Sequence, residues 1–158
     1  MKTAIAQFRN ITLTQGGADA FVQTSEPTGI NPSLGMGWLL KHALVHFSNA
    51  VTLEAISADS SVCWSLTRDS ETAIMSLDDD DCIYADGFAV PFTTSGEVYV
   101  PRLFRYDFPD GVVVVDPYLY AQIDSTGTGL TLIAQMRLYY EEVKLSEIEI
   151  LRMLSQQG

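Results

Sequence analysis

Hydrophobic and polar positions alternate along the C-terminal third of the chain, from Gly111 to Leu154. One set is almost entirely apolar and the other is mixed: Leu132, Ala134, Met136, Leu138 and Tyr140 against Thr131, Ile133, Gln135, Arg137 and Tyr139. A period of two predicts a strand with one buried face. Val112–Ile123 predicts the strand before it, and Asp124–Gly129 predicts a tight turn that supplies glycines for positive φ. The pattern predicts an antiparallel sheet.

The rest of the chain gives further short strands separated by turn signals. The candidate strands are Ala4–Thr14, Ala20–Thr24, Gly37–Ser48, Val51–Ser57, Ser61–Thr67, Ala73–Ser76, Ile83–Val90, Glu97–Tyr106, Val112–Ile123 and Thr131–Val143. The turn signals include Ser25–Gly29 and Pro109–Gly111. Eight to ten short strands predict an all-β sandwich or barrel.

A helix is predicted only at the C-terminus, over about 146–156. Ser146 followed by Glu149 has the spacing of a capping box, and Leu145 and Ile150 flank it as a hydrophobic staple. Leu151 and Leu154 add to a short apolar face. So short a helix is not stable alone, so it docks either on its own sandwich or on a neighbouring subunit. For the second case Leu151 and Leu154 are the candidate interface residues.

The length of 158 residues predicts one domain, spanning 1–158. Hydrophobic residues make up 47% of the chain, which excludes a disordered protein. Charged residues make up only 18%, which favours a surface partly covered by other subunits. No apolar run approaches the roughly 18 residues of a membrane span, so no transmembrane segment is expected.

The net charge is −11, and the nine lysines and arginines are scattered singly. Nucleic-acid binding normally requires a clustered basic stripe that displaces phosphate counterions. We therefore expect no direct contact with nucleic acid. Cys63 and Cys82 are the only cysteines, and their position in predicted strands indicates buried free thiols.

His42 and His46, with Glu54 nearby in sequence, are the candidates for a metal centre of the kind found in cupin barrels. Residues four apart on a strand point to the same side but lie about 13 Å apart, which is too far for both to bind one ion. Partly buried or interface histidines are the preferred interpretation. No cofactor is expected.

The densest charge run is Asp78–Asp81. Consecutive carboxylates point in different directions, whereas calcium loops alternate their ligands around a glycine turn. The run predicts a solvated loop or one that meets a neighbour's arginine, with Ca²⁺ at a subunit contact as the alternative. Neither a nucleophile elbow nor a phosphate loop is present, and the chain is not expected to be an enzyme.

The overall pattern resembles a single jelly-roll structural protein of a virus. The resemblance rests on the Trp-bearing segment Gly37–Phe47, the segment Cys63–Asp69 and the final strand with Met136–Glu141. It implies two four-stranded sheets, forming a wedge that tiles a shell, and a short C-terminal helix. It also implies self-assembly into a homo-oligomer, other virion proteins as partners, and a location in virions assembled in the host cytoplasm.

Many such capsid proteins carry a basic N-terminal arm, which this sequence lacks. That departure favours a shell built on a membrane or another protein layer, or a decoration subunit. The candidate lateral surfaces are the uncharged Val112–Val115 run and the Val98–Tyr106 strand, which contains Tyr99, Arg102 and Arg105.

Two other functions remain open. The seven tyrosines, which could stack on sugars, allow a carbohydrate-binding β-sandwich module. A barrel enzyme of cupin type is the third hypothesis.

Overall fold

Eight antiparallel strands form two four-stranded sheets that pack face to face. The structure is a computed structural model and describes residues 6–48, 59–91, 103–146, 149–151 and 153. The strands are β1 (Gln7–Thr14), β2 (Val22–Pro27), β3 (Met36–Phe47), β4 (Ser60–Thr67), β5 (Cys82–Val90), β6 (Leu103–Val114), β7 (Tyr118–Thr126) and β8 (Ile133–Lys144). A 3₁₀ helix at Pro32–Leu34 precedes β3.

The strand order defines a jelly roll. The first sheet has the order β1-β8-β3-β6, and the second has the order β2-β7-β4-β5. Among the connected strands, only β4 and β5 are sequential neighbours in one sheet; the other connections pass from one sheet to the other. Two interleaved Greek keys of this kind are the jelly-roll arrangement. The predicted fold class is confirmed.

The core lies between the two sheets and is built by the inward half of each alternating strand. Its aromatic part contains Phe47 and Trp64, whose ring centroids are 5.5 Å apart, and Phe88 stacked on Phe104 at 5.2 Å. Ile11, Met136 and Leu138 supply aliphatic contacts, and each is almost completely buried. Burial of these side chains fixes which residues of each strand must face outward.

The prediction that the last two strands form a hairpin is wrong. β7 pairs with β2 and β4, whereas β8 pairs with β1 and β3, so the connection between them crosses from the second sheet to the first. The predicted glycine conformations do occur, because Gly127 and Gly129 have φ of 72° and 65°. A polar glycine turn between two strands is compatible with either connection, and only the packing of the two sheets decides between them.

The turn predicted at Pro109–Gly111 does not end a strand. β6 continues through it to Val114, and Tyr118 begins β7. The register passes from Leu40↔Val112 to His42↔Asp107, so 108–111 bulge out opposite Lys41. Since β6 is an edge strand, Pro109 needs no partner for its missing N–H group. Gly111 has φ +74°, and a Cβ there would lie 2.6 Å from Leu39 Cδ1.

Three other strand predictions need comment. Ala73–Ser76 is not a strand but part of the long β4–β5 connection. Ser25–Pro27 continues edge strand β2 rather than forming a turn. Val51–Ser57, and 97–102 of the Glu97–Tyr106 strand, lie outside the described residues.

Asp19 joins the connection after β1 to the connection after β7. Its Oδ1 accepts hydrogen bonds from Thr128 Oγ1 (2.6 Å), Thr128 N–H (3.0 Å) and Ser125 Oγ (3.0 Å), and its Oδ2 accepts one from Gly129 N–H (2.8 Å). Burial alone would raise the pKa of Asp19, but these hydrogen bonds together lower it below 3.8. The carboxylate therefore holds the crossover from the second sheet to the first.

We predict that Asp19→Asn lowers the free energy of unfolding at pH 7 by about 1–2 kcal/mol, because the amide nitrogen that replaces Oδ2 cannot accept the hydrogen bond from Gly129 N–H. Since the pKa of Asp19 is lower in the folded protein, its contribution is present above pH 3.8 and is lost as the pH falls through the lowered value. Urea unfolding should be measured from pH 7 down to below pH 3.8. The difference in the free energy of unfolding between the variant and the wild type should become smaller as the pH falls. The control is Asp110→Asn, at an exposed position of β6, and its free energy of unfolding should be close to that of the wild type at pH 7 and at acidic pH. An equal loss of stability in both variants would contradict this role for Asp19.

Candidate subunit interface

The outer face of the first sheet is ordered into rows that cross all four strands. The register places Phe8, Tyr139, His42 and Asp107 in one row, Asn10, Arg137, Leu44 and Arg105 in the next, and Thr12, Gln135, His46 and Leu103 in a third. We call this surface the outer face. Each row presents apolar or aromatic groups beside polar ones.

Arg137 lies at the centre of the outer face and is held by three contacts. Its Nε donates a hydrogen bond to Asn10 Oδ1 (2.7 Å), and its guanidinium carbon lies 4.8 Å from the centroid of the Phe8 ring. A long hydrogen bond of 3.5 Å runs from its NH1 to the Tyr139 hydroxyl. No carboxylate among the described residues lies within ion-pairing distance of it. Arg137 is therefore an oriented cation that has no counter-charge in the described part of its own chain.

A shallow cavity of about 200 Å³ opens beside Arg137. Its lining comes from all four strands of the sheet: Asn10, Leu44, His46, Leu103, Gln135 and Arg137. Leu103 is 58% exposed and Leu44 is half-buried, so the lining of the cavity contains apolar surface as well as the guanidinium. Its chemistry suits an apolar side chain with a carboxylate next to it.

An aromatic group borders the same surface. The His42 ring stacks on Tyr139 at 4.1 Å, and Phe8 packs against the other side of Tyr139 at 6.1 Å. Burial, and secondarily the Arg105 guanidinium, lower the pKa of His42 below 6.5 against an opposing effect of Asp107. His42 is therefore neutral at pH 7, and the positive charge of the outer face comes from its arginines.

The two predicted lateral surfaces have different outcomes. Arg105 is exposed on the outer face and forms an ion pair with Asp107, with 2.9 Å between NH2 and Oδ1. Tyr99 and Arg102 lie outside the described residues. In the Val112–Val115 run, Val114 and Val115 are completely buried, and only Val112 and Val113 are partly exposed.

The C-terminal helix begins as its sequence predicts. Ser146 N–H donates a hydrogen bond to Glu149 Oε2 (2.8 Å), and Glu149 N–H donates one to Ser146 Oγ (3.3 Å), which is the capping box. Leu145 N–H donates to Gly35 O (2.8 Å) and attaches the segment to the β2–β3 connection. Ile150 is only 7% exposed, whereas Leu151 is 65% exposed. The helix thus docks on its own domain through Ile150 and presents Leu151 to solvent; Leu154 lies outside the described residues.

We predict that the neighbouring residues Ile150 and Leu151 affect different properties. Ile150→Ala should lower the free energy of unfolding by about 2–3 kcal/mol, since it removes buried methyl and methylene groups. Leu151→Ala should change it by less than about 0.5 kcal/mol. Chemical denaturation measures both, and equal effects would show that the helix does not dock through Ile150.

His42 and His46, the candidate metal ligands of the sequence, lie on the outer face of the first sheet. Among the described residues, no group of three or more His, Cys, Asp and Glu side chains could hold an ion. His42 and His46 occupy different rows of the outer face, as their spacing predicts, and Glu54 lies outside the described residues. The Ca²⁺ alternative for Asp78–Asp81 remains a prediction.

Asp78–Asp81 ends the long β4–β5 connection, which lies over the far side of the second sheet. Gln122 on that side is completely buried; its Nε2 donates to Thr67 Oγ1 (2.7 Å) and to Gln23 Oε1 (2.9 Å). Gln23 in turn accepts from Glu71 N–H (2.7 Å) in the connection. Arg68, at its start, pairs with Asp116 at 3.0 Å. The base of the connection is therefore firmly attached to the sheet.

The tip of this connection is a turn with an exposed apolar residue and exposed acids. Asp79 N–H donates to Ser76 O (3.0 Å), and Cys82 N–H donates to Asp79 O (3.0 Å). Leu77 is 62% exposed, and Asp78 and Asp80 are exposed beside it. Burial and the neighbouring carboxylates raise the pKa of Glu71 and of Asp81. We call Leu77–Asp81 the acidic tip.

Charge is segregated between the two sheets. The strands of the first sheet contain five cations and four acids: Arg9, Lys41, Arg105, Arg137 and Lys144 with Asp107, Asp110, Glu141 and Glu142. The strands of the second sheet and the β4–β5 connection contain one cation and nine acids: Arg68 with Glu26, Asp69, Glu71, Asp78, Asp79, Asp80, Asp81, Asp86 and Asp124. The described molecule is therefore strongly dipolar.

The two cysteines are free thiols, and two of the tyrosines are core residues. Cys63 and Cys82 are free as predicted, half-buried rather than fully buried, and burial raises the pKa of both thiols. Tyr84 and Tyr140 are core residues. No helix in the described part of the chain is long and apolar enough to cross a membrane.

Sequence reasoning placed Arg137 on the mixed face of its strand but did not name Arg137, Phe8 or Leu77 as candidate interface residues. The signal for Arg137 was present, because it alternates with Met136 and Leu138, which must be buried. Phe8 and Leu77 carried no such signal, since large apolar residues at surface positions resemble core residues in a sequence.

No protein-family model and no curated protein sequence matches this chain significantly. Among solved structures, it is similar to that of tomato aspermy virus, with 10% identity, a TM-score of 0.48, and coverage of 90% of this chain and 80% of that one. It is also similar to VP1 of the trichodysplasia spinulosa-associated polyomavirus, with 7% identity, a TM-score of 0.44, and coverage of 88% and 96%. The jelly-roll fold of the chain is established by its own strand order.

Proposed function

We propose that this chain is a non-enzymatic virion structural protein, a single jelly-roll subunit that self-assembles into a shell or onto one. The observation that carries the proposal is the segregation of charge between the two sheets. A rigid sandwich whose first sheet carries five cations and four acids on its strands, with Arg137 free of any carboxylate of the described residues, and whose opposite side is strongly acidic is suited to repeated contacts between copies. Other virion proteins would meet the remaining surfaces, and the virion would be its location.

Charge segregation matters because every copy has a net charge of −11. At long range such copies repel one another, so apolar contacts alone would have to overcome that repulsion. Contacts between the first sheet of one copy and the acidic side of the next convert part of the repulsion into attraction. Because the two sides differ, the contact is heterologous and continues from copy to copy until it closes.

Salt therefore distinguishes this proposal from assembly by apolar contact alone. The purified chain should form oligomers at low ionic strength and lose them between about 0.05 and 0.5 M NaCl, as the Debye length falls well below 10 Å. Sedimentation velocity measures the mass, and electron microscopy shows whether closed particles form. Oligomers that strengthen with salt would contradict charge-guided assembly, and a monomer under all conditions would contradict the proposed function.

One feature favours a carbohydrate-binding module as a second candidate. The exposed Phe8 ring and the Tyr139–His42 stack lie beside the amides of Asn10 and Gln135, and aromatic faces with nearby amides suit sugar rings. This hypothesis predicts a rise of several degrees in Tm with millimolar glycan, which is lost in Phe8→Ala. No stabilisation across a glycan panel would exclude this candidate for the sugars tested.

A further inference from the structure

We propose that the acidic tip of one copy docks into the outer-face cavity of a second copy, with Leu77 against Leu44 and Leu103 and with Asp78 or Asp80 paired to Arg137. The inference rests on the proposed function and adds to it the pair of surfaces in contact. The acidic tip belongs to the β4–β5 connection of the second sheet, and the cavity lies on the first sheet. One copy can therefore give its tip and receive another at the same time.

Arg137, the cation of the proposed contact, is already held in one orientation before docking. Arg137 is oriented by Asn10 and Phe8, and its guanidinium has no carboxylate partner within the described chain. An arginine held in place loses less side-chain freedom when it binds a carboxylate than a free one does. In a protein with a net charge of −11, the counter-charge that such a group most readily meets is an acid of another copy.

The acidic tip is likewise ordered before docking, by hydrogen bonds within its own turn. Hydrogen bonds from Asp79 N–H and Cys82 N–H close the turn, and Asp81 N–H donates to Asp79 Oδ1 (3.1 Å). The Asp78 and Asp80 carboxylates accept no hydrogen bond from the described residues, so both remain available to a partner. Crowding by neighbouring acids is relieved when a partner's cation approaches.

Leu77 and the acids that follow it also match the cavity beside Arg137 in size and polarity. Leu77 is a single exposed leucine with acids immediately after it, and the lining of the cavity of about 200 Å³ contains apolar surface as well as Arg137. A leucine side chain with an adjacent carboxylate therefore meets matching chemistry in the cavity. Two exposed apolar groups, Leu77 and Leu103, would leave water together.

The experiment is a charge exchange in the full chain, read by sedimentation equilibrium at low salt. Arg137→Glu alone, and Asp78→Lys with Asp80→Lys, should each weaken self-association by about tenfold or more. Mixing the two variants should restore association between them to within about threefold of wild type. In the mixture the cationic tip of one variant meets the acidic cavity of the other, so the charges in contact are again opposite. Leu77→Ser should also weaken association.

Lys144→Glu is the matched control, since it makes the same charge change on strand β8 at the far end of the sheet. It should reduce association no more than about threefold, and thermal unfolding should show every variant folded. If wild type assembles and Arg137→Glu assembles equally well, the inference is overturned while the proposed function stands. If Arg137→Glu abolishes assembly but the tip variant does not, the partner of Arg137 is another anion and the inference is likewise overturned. A wild type that never associates overturns both.

Discussion

Burial of one side of each strand is the constraint on which the rest of the structure depends. Met136 and Leu138 are completely buried between the sheets, and the pleat of β8 therefore turns Arg137 outward. The same alternation along β3 buries Ala43 and Val45 and turns Leu44 and His46 outward. A shift of one residue in either register would exchange core and surface, so the composition of the outer face is fixed by the core.

The bulge opposite Lys41 shows how the sheet accommodates a local departure from this rule. β8 advances one residue while β3 advances two, and β6 loops out over 108–111. Phe108 returns to the core, where it packs edge-on against Tyr84 at 6.1 Å. The irregularity changes the edge strand and leaves the central rows around Arg137 intact.

The class of fold could be predicted from the sequence because period-two alternation is strong in β8 and because short candidate strands follow one another between turn signals. The path of the chain between the sheets could not, since the Gly127–Gly129 segment fits a hairpin as well as a crossover. The packing of the two sheets decides between them, and Asp19, which holds the crossover, lies 109 residues before Thr128. Pairings so distant in sequence leave no local pattern. For the same reason the cavity, which draws on four strands, was not visible, whereas the capping box of Ser146 and Glu149 was, because it is local.

The segregation of charge explains how a protein with a net charge of −11 can associate with itself. The second sheet and its long connection concentrate the acids, and the first sheet retains cations of which Arg137 is the best oriented. Lys41 is an exposed amine at the bulge of β3, next in the chain to His42 of the outer face. It gives a direct chemical measure of whether an acidic side of one copy meets the first sheet of another.

Zero-length carbodiimide cross-linking of assembled ¹⁴N and ¹⁵N chains mixed in equal amounts makes that measurement. Mass spectrometry should find mixed-isotope peptides that join Lys41 to the Leu77–Asp81 segment, and these should disappear in high salt. Assembled material whose mixed-isotope cross-links all lie elsewhere, with Lys41 unmodified or joined only within its own chain, would contradict the account.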